Sequence, residues 1–256
     1  MRKRDLAALG ELIARKREEE EKASVYGALA LRWALDLLFD GVAEGEDAAG
    51  AFETVAAGAG IDRAAFAAAA ARDGRCPAPA FERRSVSAVS FLPGRFDRAL
   101  YDAFPGARFR EAESFEEVCE AVADGDADGG ALPLYDRDGC ILQRADRLRR
   151  AYGLKKSAVL RLDCGGESAL YGLYTKTLFD TPDADAAEAS VYGGELIRTV
   201  SDLLRALGVG FDLTKTRENA YFTLTGSPDE ISAALRALPL LSGELSVDGL
   251  YRLPQI

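Results

Sequence analysis

The spacing of the apolar residues changes near residue 80, and this change constrains the fold more than any other feature of the chain. Residues 5–72 are rich in alanine and carry apolar residues at helical spacing. From Val86 onward, short apolar runs alternate with amphipathic segments, which is typical of βαβ units. Between them, residues 73–79 hold two prolines and a glycine, which helices and central strands tolerate poorly. We therefore predict a helical arm over residues 1–74 and a linker over residues 75–84.

Within the arm, the pattern predicts three or four helical segments. A solvated turn is expected at the charged run Glu18–Glu21, and Asp62 is placed to cap a last helix. After the linker, the alternation predicts one α/β lobe over residues 85–167. Its predicted strands are residues 86–92, 107–110, 129–134 and 155–162, and its helices include 96–104, a segment capped by Ser114 and Glu117, and 141–152.

The pattern in the last third of the chain, residues 168–256, predicts a separate module. A strand at 170–179 is followed by an Ala- and Asp-rich loop at 180–190 and by a helix that ends at Gly208. Two strands at 211–216 and 220–225, a helix capped by Ser227 and Glu230, and a strand at 245–253 complete the pattern. This order is βαββαβ, the ferredoxin-like arrangement. The expected fold class is thus a helical arm, an α/β lobe and a βαββαβ module.

Charge and composition narrow the classes of function. A formal charge of −10 disfavours nucleic acid and anionic lipid as partners. The chain has no histidine, which removes Ser-His and Cys-His nucleophiles and the commonest metal ligand. Four widely spaced cysteines indicate reduced thiols rather than a zinc or disulfide framework. No apolar run approaches the ~20 residues of a membrane span, and no signal peptide is recognisable. We expect a cytoplasmic protein that binds a small molecule, without metal or cofactor.

Three groups of polar residues allow more than one interpretation. Gly193 and Gly194 before a helix could bind a carboxylate through free amides, or form only a loop. Asp136 and Asp138 could act as an acid/base or Mg²⁺ pair, or lie in a solvated turn. The arginines and lysine of the arm, Arg15, Lys16, Arg17 and Arg32, could clamp a dicarboxylate or form a charged surface.

Segments in two parts of the chain, the lobe and the C-terminal module, resemble the prephenate dehydratase family of the phenylalanine pathway, including its forms fused to chorismate mutase. Phe91–Ala99 and Gly130–Leu134 are similar to segments of that family's first lobe. Asp212–Glu218 and Gly193–Leu196 are similar to segments of its C-terminal ACT domain, which binds an amino acid. The resemblance implies a homodimer paired through ACT domains and a chorismate-mutase-like arm as one interpretation of residues 1–74.

The resemblance also implies two sets of site residues. The ligand-binding set of the ACT-like domain is Gly193, Gly194, Glu195, Leu196, Asp212, Leu213, Thr214, Lys215, Arg217 and Glu218. The substrate-loop set of the lobe is Pro93, Gly94, Arg95, Asp136, Arg137 and Ser168.

The chain also departs from the family. Tyr135–Asp138 replaces the family's Glu-Asn-Ser-Thr, and Ser168-Ala169-Leu170 stands where its catalytic Thr-Arg-Phe belongs. Between Leu162 and Ser168 there is no room for a second lobe, which needs on the order of 100 residues. Two hypotheses remain. The protein is a non-catalytic regulatory member that binds an amino acid or pathway acid. Alternatively, it is a divergent dehydratase that converts prephenate to phenylpyruvate, water and CO2, or a chorismate mutase.

Overall fold

A computed structural model describes residues 3–76, 81, 85–135, 143–179, 181–192, 194–215, 219–242 and 245–254. Over these ranges the protein holds eight helices and one nine-stranded sheet, which confirms a mixed α/β fold. The helices are α1 (Lys3–Ala43), α2 (Ala48–Ala59), α3 (Arg63–Arg72), α4 (Asp97–Ala103), α5 (Phe115–Asp124), α6 (Gln143–Ala151), α7 (Glu195–Leu207) and α8 (Pro228–Leu241). The strands are β1 (Ala88–Phe91), β2 (Arg108–Glu111), β3 (Gly129–Pro133), β4 (Lys155–Cys164), β5 (Glu167–Thr175), β6 (Ala186–Tyr192), β7 (Gly210–Lys215), β8 (Asn219–Thr225) and β9 (Ser246–Tyr251).

The arm contains one long helix where the sequence predicted a turn. α1 runs unbroken through Glu18–Glu21. Glu and Lys are good helix formers, and Lys22 Nζ lies 2.6 Å from the Glu18 carboxylate one turn earlier. The predicted turn is therefore wrong. The predicted cap at Asp62 is confirmed, because its carboxylate accepts the Ala65 amide at 2.9 Å.

The lobe consists of β1–β5 with α4–α6. In its sheet the order is β2-β1-β3-β5-β4, and β1 is parallel to both β2 and β3. α4 covers one face, where Leu100 joins a core with Val89 and Phe91. α5 and α6 cover the other face, where Val118 and Ala145 are buried. The capping pair of α5 forms in part. Ser114 accepts the Glu117 amide, but the Glu117 carboxylate accepts the amide of Glu113 rather than that of Ser114.

The C-terminal module, residues 186–251, begins later than the sequence predicted. The strand predicted at 170–179 is β5, which pairs with β3 and β4 of the lobe. The first strand of the module is instead β6, inside the segment predicted to be an Ala- and Asp-rich loop. β6 pairs with β8 on one side and with β9 on the other, and its alanines are buried. This central position in the sheet overrides the weak strand propensity of alanine.

With β6 as its first strand, the module has the order β9-β6-β8-β7. This is the ferredoxin-like βαββαβ arrangement, with α7 and α8 packed on one face. The predicted start of α8 is confirmed. Ser227 and Glu230 form a reciprocal capping box, and Pro228 is the first helical residue.

Lobe and module share one sheet, because β4 pairs in parallel with β9 at Lys156 and Gly249. The arm covers the outer face of α7 and α8, and α3 lies across both. Two arginines at the ends of α3 bind the C-terminal carbonyls of these helices. Arg72 donates to the carbonyl of Ala206 at 2.8 Å, and Arg63 donates to that of Leu241 at 3.0 Å. Within the described ranges, no helix is long and apolar enough to cross a membrane.

Candidate functional site

The first candidate site is the edge of the lobe at the carboxyl ends of β1 and β3. From β1 the chain continues to β2 on one side, and it then crosses to β3 on the other side of β1. The strand order therefore switches between the neighbouring strands β1 and β3. In open α/β sheets such a switch opens a crevice that binds ligands. The loop after β1 carries Pro93, Gly94 and Arg95, all exposed. Gly94 donates its amide to the Asp97 carboxylate at 2.7 Å, which fixes the loop against the start of α4.

The hairpin of β4 and β5 lies beside this loop. Its turn is Gly165-Gly166, and both residues have positive φ, which favours glycine. Arg95 forms an ion pair with Glu167 at the start of β5, next to Ser168. Arg161 Nη2 donates to Ser168 Oγ at 3.1 Å, and Ser168 donates in turn to the Asp163 carboxylate. The structure therefore brings the predicted residues Arg95 and Ser168 to one hairpin tip.

The charges of this tip are exposed and mutually paired. The hydrogen bond from Ser168, aided by Arg161, lowers the pKa of Asp163, so this carboxyl is ionised at neutral pH. Glu167 raises the pKa of the Arg95 guanidinium. Two exposed guanidiniums can bind the carboxylates of a small acid if it displaces their present partners. Arg161, Asp163 and Glu167 belong to no recognisable motif, so only their hairpin position could have identified them.

A tyrosine, whose hydroxyl can donate a proton, lies near the same edge beside the end of β3. Tyr171 on β5 is paired with Pro133 at the end of β3, and its ring packs against Phe96 with the centroids 6.2 Å apart. Burial raises the pKa of Tyr171, so its hydroxyl stays protonated at neutral pH. The predicted residues Asp136 and Arg137, as well as Asp138, lie outside the described residues. Among the residues that are described, no cluster of His, Cys, Asp and Glu suits a metal ion.

The second candidate site is one end of the C-terminal module. Tyr192 at the end of β6 pairs with Asn219, and Lys215 at the end of β7 pairs with Ala220. The start of α7 at Gly194 and the end of β7 therefore lie at the same end of the sheet, two strands or roughly 10 Å apart. Gly194 makes no side-chain cap, so the helix start presents amides and a favourable dipole to an anion.

The predicted ligand set of this module is divided by the sheet. Lys215 and Thr214 are exposed at the shared end, and Leu196 is half-buried on α7. Leu213 packs against the core on the helix-covered face, so Asp212 and Thr214 project from the opposite face. Asp212 lies beside Thr223, about 10 Å along the strand from Lys215. Gly193, Arg217, Glu218 and the Glu195 side chain lie outside the described residues.

A buried group of charges joins the lobe to the module, and we call it the junction cluster: Arg149, Lys156, Glu188 and Tyr251. Arg149 is 0% exposed. Arg149 and Lys156 each form an ion pair with the Glu188 carboxylate. Tyr251 donates its hydroxyl to the same carboxylate at 3.1 Å. Sequence reasoning missed this cluster, because Glu188 falls in the segment predicted to be a loop and because charged side chains such as Arg149 and Lys156 are usually solvent-facing.

The junction cluster has further support around it. Arg149 also donates to the backbone carbonyl of Asp248 on β9 at 3.2 Å. Lys155 Nζ lies 2.7 Å from the Asp248 carboxylate. Arg150 stacks over the ring of Tyr221 at 3.5 Å from its centroid. Residues of α6 and β4 in the lobe thus hold β6, β8 and β9 of the module.

Comparison with solved structures finds similar folds at low identity. A prephenate dehydratase from Streptococcus mutans aligns with a TM-score of 0.50 at 12% identity, over 64% of this chain and 97% of that one. A protein described as GqqA, a novel type of quorum-quenching acylase, aligns with a TM-score of 0.49 at 16% identity, over 66% of this chain and 96% of that one. Prephenate dehydratase from Arthrobacter aurescens, in complex with L-Phe, aligns with a TM-score of 0.48 at 12% identity, over 65% and 90%.

The first of these likenesses shows a prephenate-dehydratase-like fold and nothing about activity. Its aligned share, 64% of this chain, is about twice what residues 85–167 alone could supply. The likeness therefore extends beyond the lobe. No family model and no curated protein sequence matches the chain.

Proposed function

We propose that the chain is a non-catalytic, prephenate-dehydratase-like protein that binds an amino acid or an aromatic-pathway acid through its C-terminal module. The dehydratase-like fold supports the class of protein. The ferredoxin-like strand order, together with the resemblance of Asp212–Glu218 to an ACT domain, supports a regulatory module. This binding role would belong to aromatic amino-acid biosynthesis, because the family that the sequence resembles acts in the L-phenylalanine branch.

We expect no turnover because β4 and β5 are joined by a turn of two residues, at the place where the second lobe of a dehydratase would have to be inserted. Dehydration needs a site that excludes water and holds the substrate carboxylates in place. Here the lobe edge meets only the tip of a hairpin, and Arg95 and Arg161 are already engaged by Glu167 and Asp163. A single exposed edge of this kind can bind an acid but does not enclose it.

In the module, the ligand carboxylate would bind at the start of α7. The amides after Gly194 and the positive end of the helix dipole favour an anion. Lys215 is exposed at the same end of the sheet and adds positive charge. An amino acid would then place its side chain toward Leu196, which is half-buried in the first turn of α7.

A thermal-shift panel of amino acids tests the binding role. A ligand at 100 times its dissociation constant stabilises the folded state by about 2.7 kcal/mol, or several degrees in Tm for a chain of this size. L-phenylalanine, L-tyrosine and L-tryptophan are compared with their D-enantiomers as controls. Lys215→Ala should reduce the shift, whereas Lys176→Ala, at an exposed lysine on the lobe, should leave it unchanged. No shift with any L-amino acid would contradict the proposed sensor.

An assay of turnover separates this proposal from its alternative. Purified protein is incubated with prephenate and with chorismate, and phenylpyruvate and prephenate are measured. We expect neither product above the uncatalysed rate. Release of phenylpyruvate would favour a divergent dehydratase, and release of prephenate from chorismate a mutase. If phenylpyruvate appears, Arg95→Ala and Arg161→Ala should abolish it, which would place the reaction at the lobe edge.

A further inference from the structure

α8 is buried over more than half of its circumference, so it packs against two layers. Its buried residues are Ile231, Ala233, Ala234, Leu235, Ala237, Leu238, Leu240 and Leu241. At 100° per residue these positions span an arc of about 220°, whereas a helix that packs on a single layer carries an apolar stripe of roughly 100°. The second layer is the arm, because α2 and α3 contact α8 and share one core with it. The module therefore consists of three layers, a sheet and two layers of helices.

α3 is the arm helix that lies across both helices of the module. Its buried residues are Phe66 and five alanines: Ala64, Ala67, Ala68, Ala70 and Ala71. The distance between packed helices depends on the side chains at the contact, and alanines allow a close approach. Protein interiors are close-packed, so a shift of α7 or α8 relative to α3 would open a gap or create a clash at this contact.

The carboxyl end of α7 is held by a side chain from the arm. The turn after α7 binds two carbonyls of the last helical turn through its own amides. The carbonyl that follows them, that of Ala206, accepts a hydrogen bond from Arg72 at the end of α3, at 2.8 Å. At the start of α3, Arg63 donates to the carbonyl of Leu241 at the end of α8, at 3.0 Å. Each helix of the module is thus bound by a different arginine of α3.

We propose that Arg72 positions α7 for ligand binding, and it acts from the end of the helix that lies away from the ligand. This inference rests on the function proposed above, in which a carboxylate binds at the start of α7. Arg72 fixes α7 along its axis and so sets the distance between the amides after Gly194 and Lys215 of β7. If α7 can shift, only a fraction of the molecules has the distance that binds, and the dissociation constant rises in proportion.

Direct attraction between Arg72 and a bound carboxylate is too weak to produce this effect. α7 has 13 residues, so its two ends lie roughly 20 Å apart. That is more than twice the distance of about 8 Å over which physiological salt screens exposed charges. The ratio of the dissociation constants with and without Arg72 should therefore be the same in about 0.15 M and about 1 M salt.

The first test needs no ligand and uses native-state hydrogen exchange of the full chain. Arg72→Ala should raise the exchange rates of residues 199–204 of α7 about threefold relative to residues 232–238 of α8, the size of an exposed contact at a helix end. Arg63→Ala should do the reverse, because it releases α8 instead. Alanine is a strong helix former, so both variants keep α3. Rates that rise equally in both helices would show only a general loss of stability and would overturn the proposal.

The second test is a calorimetric titration with whichever of L-phenylalanine, L-tyrosine and L-tryptophan gives the largest thermal shift. Arg72→Ala should raise the dissociation constant about threefold. Arg72→Lys keeps a donor at the same place and should restore the constant to within about twofold of the wild type. Arg63→Ala is the matched control and should also stay within about twofold, because it frees α8 and not α7.

The titration separates failure of this inference from failure of the proposed function. A dissociation constant that Arg72→Ala leaves unchanged, or that Arg63→Ala raises equally, overturns the positioning role while the binding of an amino acid stands. If the wild type binds no L-amino acid, the proposed function fails and the positioning role fails with it.

Discussion

Glu188 is the residue whose replacement should most clearly lower the free energy of unfolding. Its carboxylate is buried between Arg149 and Lys156, so removing its charge leaves two buried cations without their shared anion. Glu188→Gln should lower the free energy of unfolding by about 3 kcal/mol or more, measured by urea denaturation. Asp202→Asn, which breaks an exposed pair with Arg205 on α7, should cost less than about 0.5 kcal/mol. Equal costs for the two variants would contradict a buried junction.

The same carboxylate predicts a dependence on pH. Burial alone would raise the pKa of Glu188, but Lys156 and Arg149 outweigh it and hold the pKa below its ordinary value of 4.5. A group whose pKa is lowered by folding stabilises the protein above its unfolded pKa, and this contribution is lost as the pH falls through the folded pKa. The cost of Glu188→Gln should therefore be largest near pH 7 and shrink below about pH 4.5. A cost that is constant from pH 7 to pH 3 would contradict the ionised state of Glu188.

The cysteines differ in reactivity for a reason that the sequence spacing did not contain. Burial raises the pKa of Cys119 to about 11, aided by Glu116 and Glu120, and burial also raises that of Cys76. Cys164 is half-exposed at the end of β4. Of the three cysteines that the structure describes, iodoacetamide at pH 8 should label Cys164 of the native protein first, and Cys76 and Cys119 only after denaturation, as measured by peptide mass spectrometry. Labelling of Cys119 at the rate of Cys164 would show that α5 opens readily.

Among the elements, the turn of the β4–β5 hairpin sets the position of the lobe edge. Gly165 and Gly166 have φ of 59° and 83°, as in a type I′ turn. Replacing both by alanine should cost about 2 kcal/mol of stability, because each non-glycine residue in this region is strained by about 1 kcal/mol or more. Asn-Gly at the same positions is the matched control and should cost almost nothing. If urea denaturation shows that the alanine pair costs no more stability than Asn-Gly, the hairpin does not have a type I′ turn.

Elements were predictable where the signal is local. Ser227, Pro228 and Glu230 specify the start of α8 within four residues, and the structure has that start. β6 carries no such signal, because Ala186, Ala187 and Glu188 are weak strand formers. They form a strand only because β8 and β9 flank them, and β9 comes more than 50 residues later. The predicted turn at Glu18–Glu21 is wrong because a run of charged residues is compatible with a solvated turn but also has high helix propensity.

At the scale of the whole molecule, the pairing of β4 with β9 had no precursor in the sequence. Lys156 and Gly249 are more than 90 residues apart in the sequence, and no local sequence pattern predicts that they pair. The lobe edge is partly predictable, since Arg95 and Ser168 belong to the predicted substrate loop and both lie at the hairpin tip. Arg161, Asp163 and Glu167 are not predictable, because only the hairpin register places them there.

The shared sheet and the junction cluster together predict how the molecule unfolds. Lobe and module lie on one sheet, and their connection at Lys156 is reinforced by buried ion pairs. Opening one without the other would break the pairing of β4 with β9 and separate Glu188 from Arg149 and Lys156. We therefore expect the amides of β1 in the lobe and β8 in the module to exchange with nearly equal free energies in native-state hydrogen exchange.

Glu188→Gln provides the comparison for that experiment. Without the ion pairs of Glu188, the lobe keeps the backbone pairing of β4 with β9, the Lys155–Asp248 ion pair, the bond from Arg149 to the Asp248 carbonyl and the contact of Arg150 with Tyr221 as its links to the module. The two sets of amides should then separate, with the lobe exchanging more readily because its cores are smaller than the one that joins α2, α3, α7 and α8. A wild type in which β8 is protected by several kcal/mol more than β1 would show that the shared sheet does not make the two parts one cooperative unit.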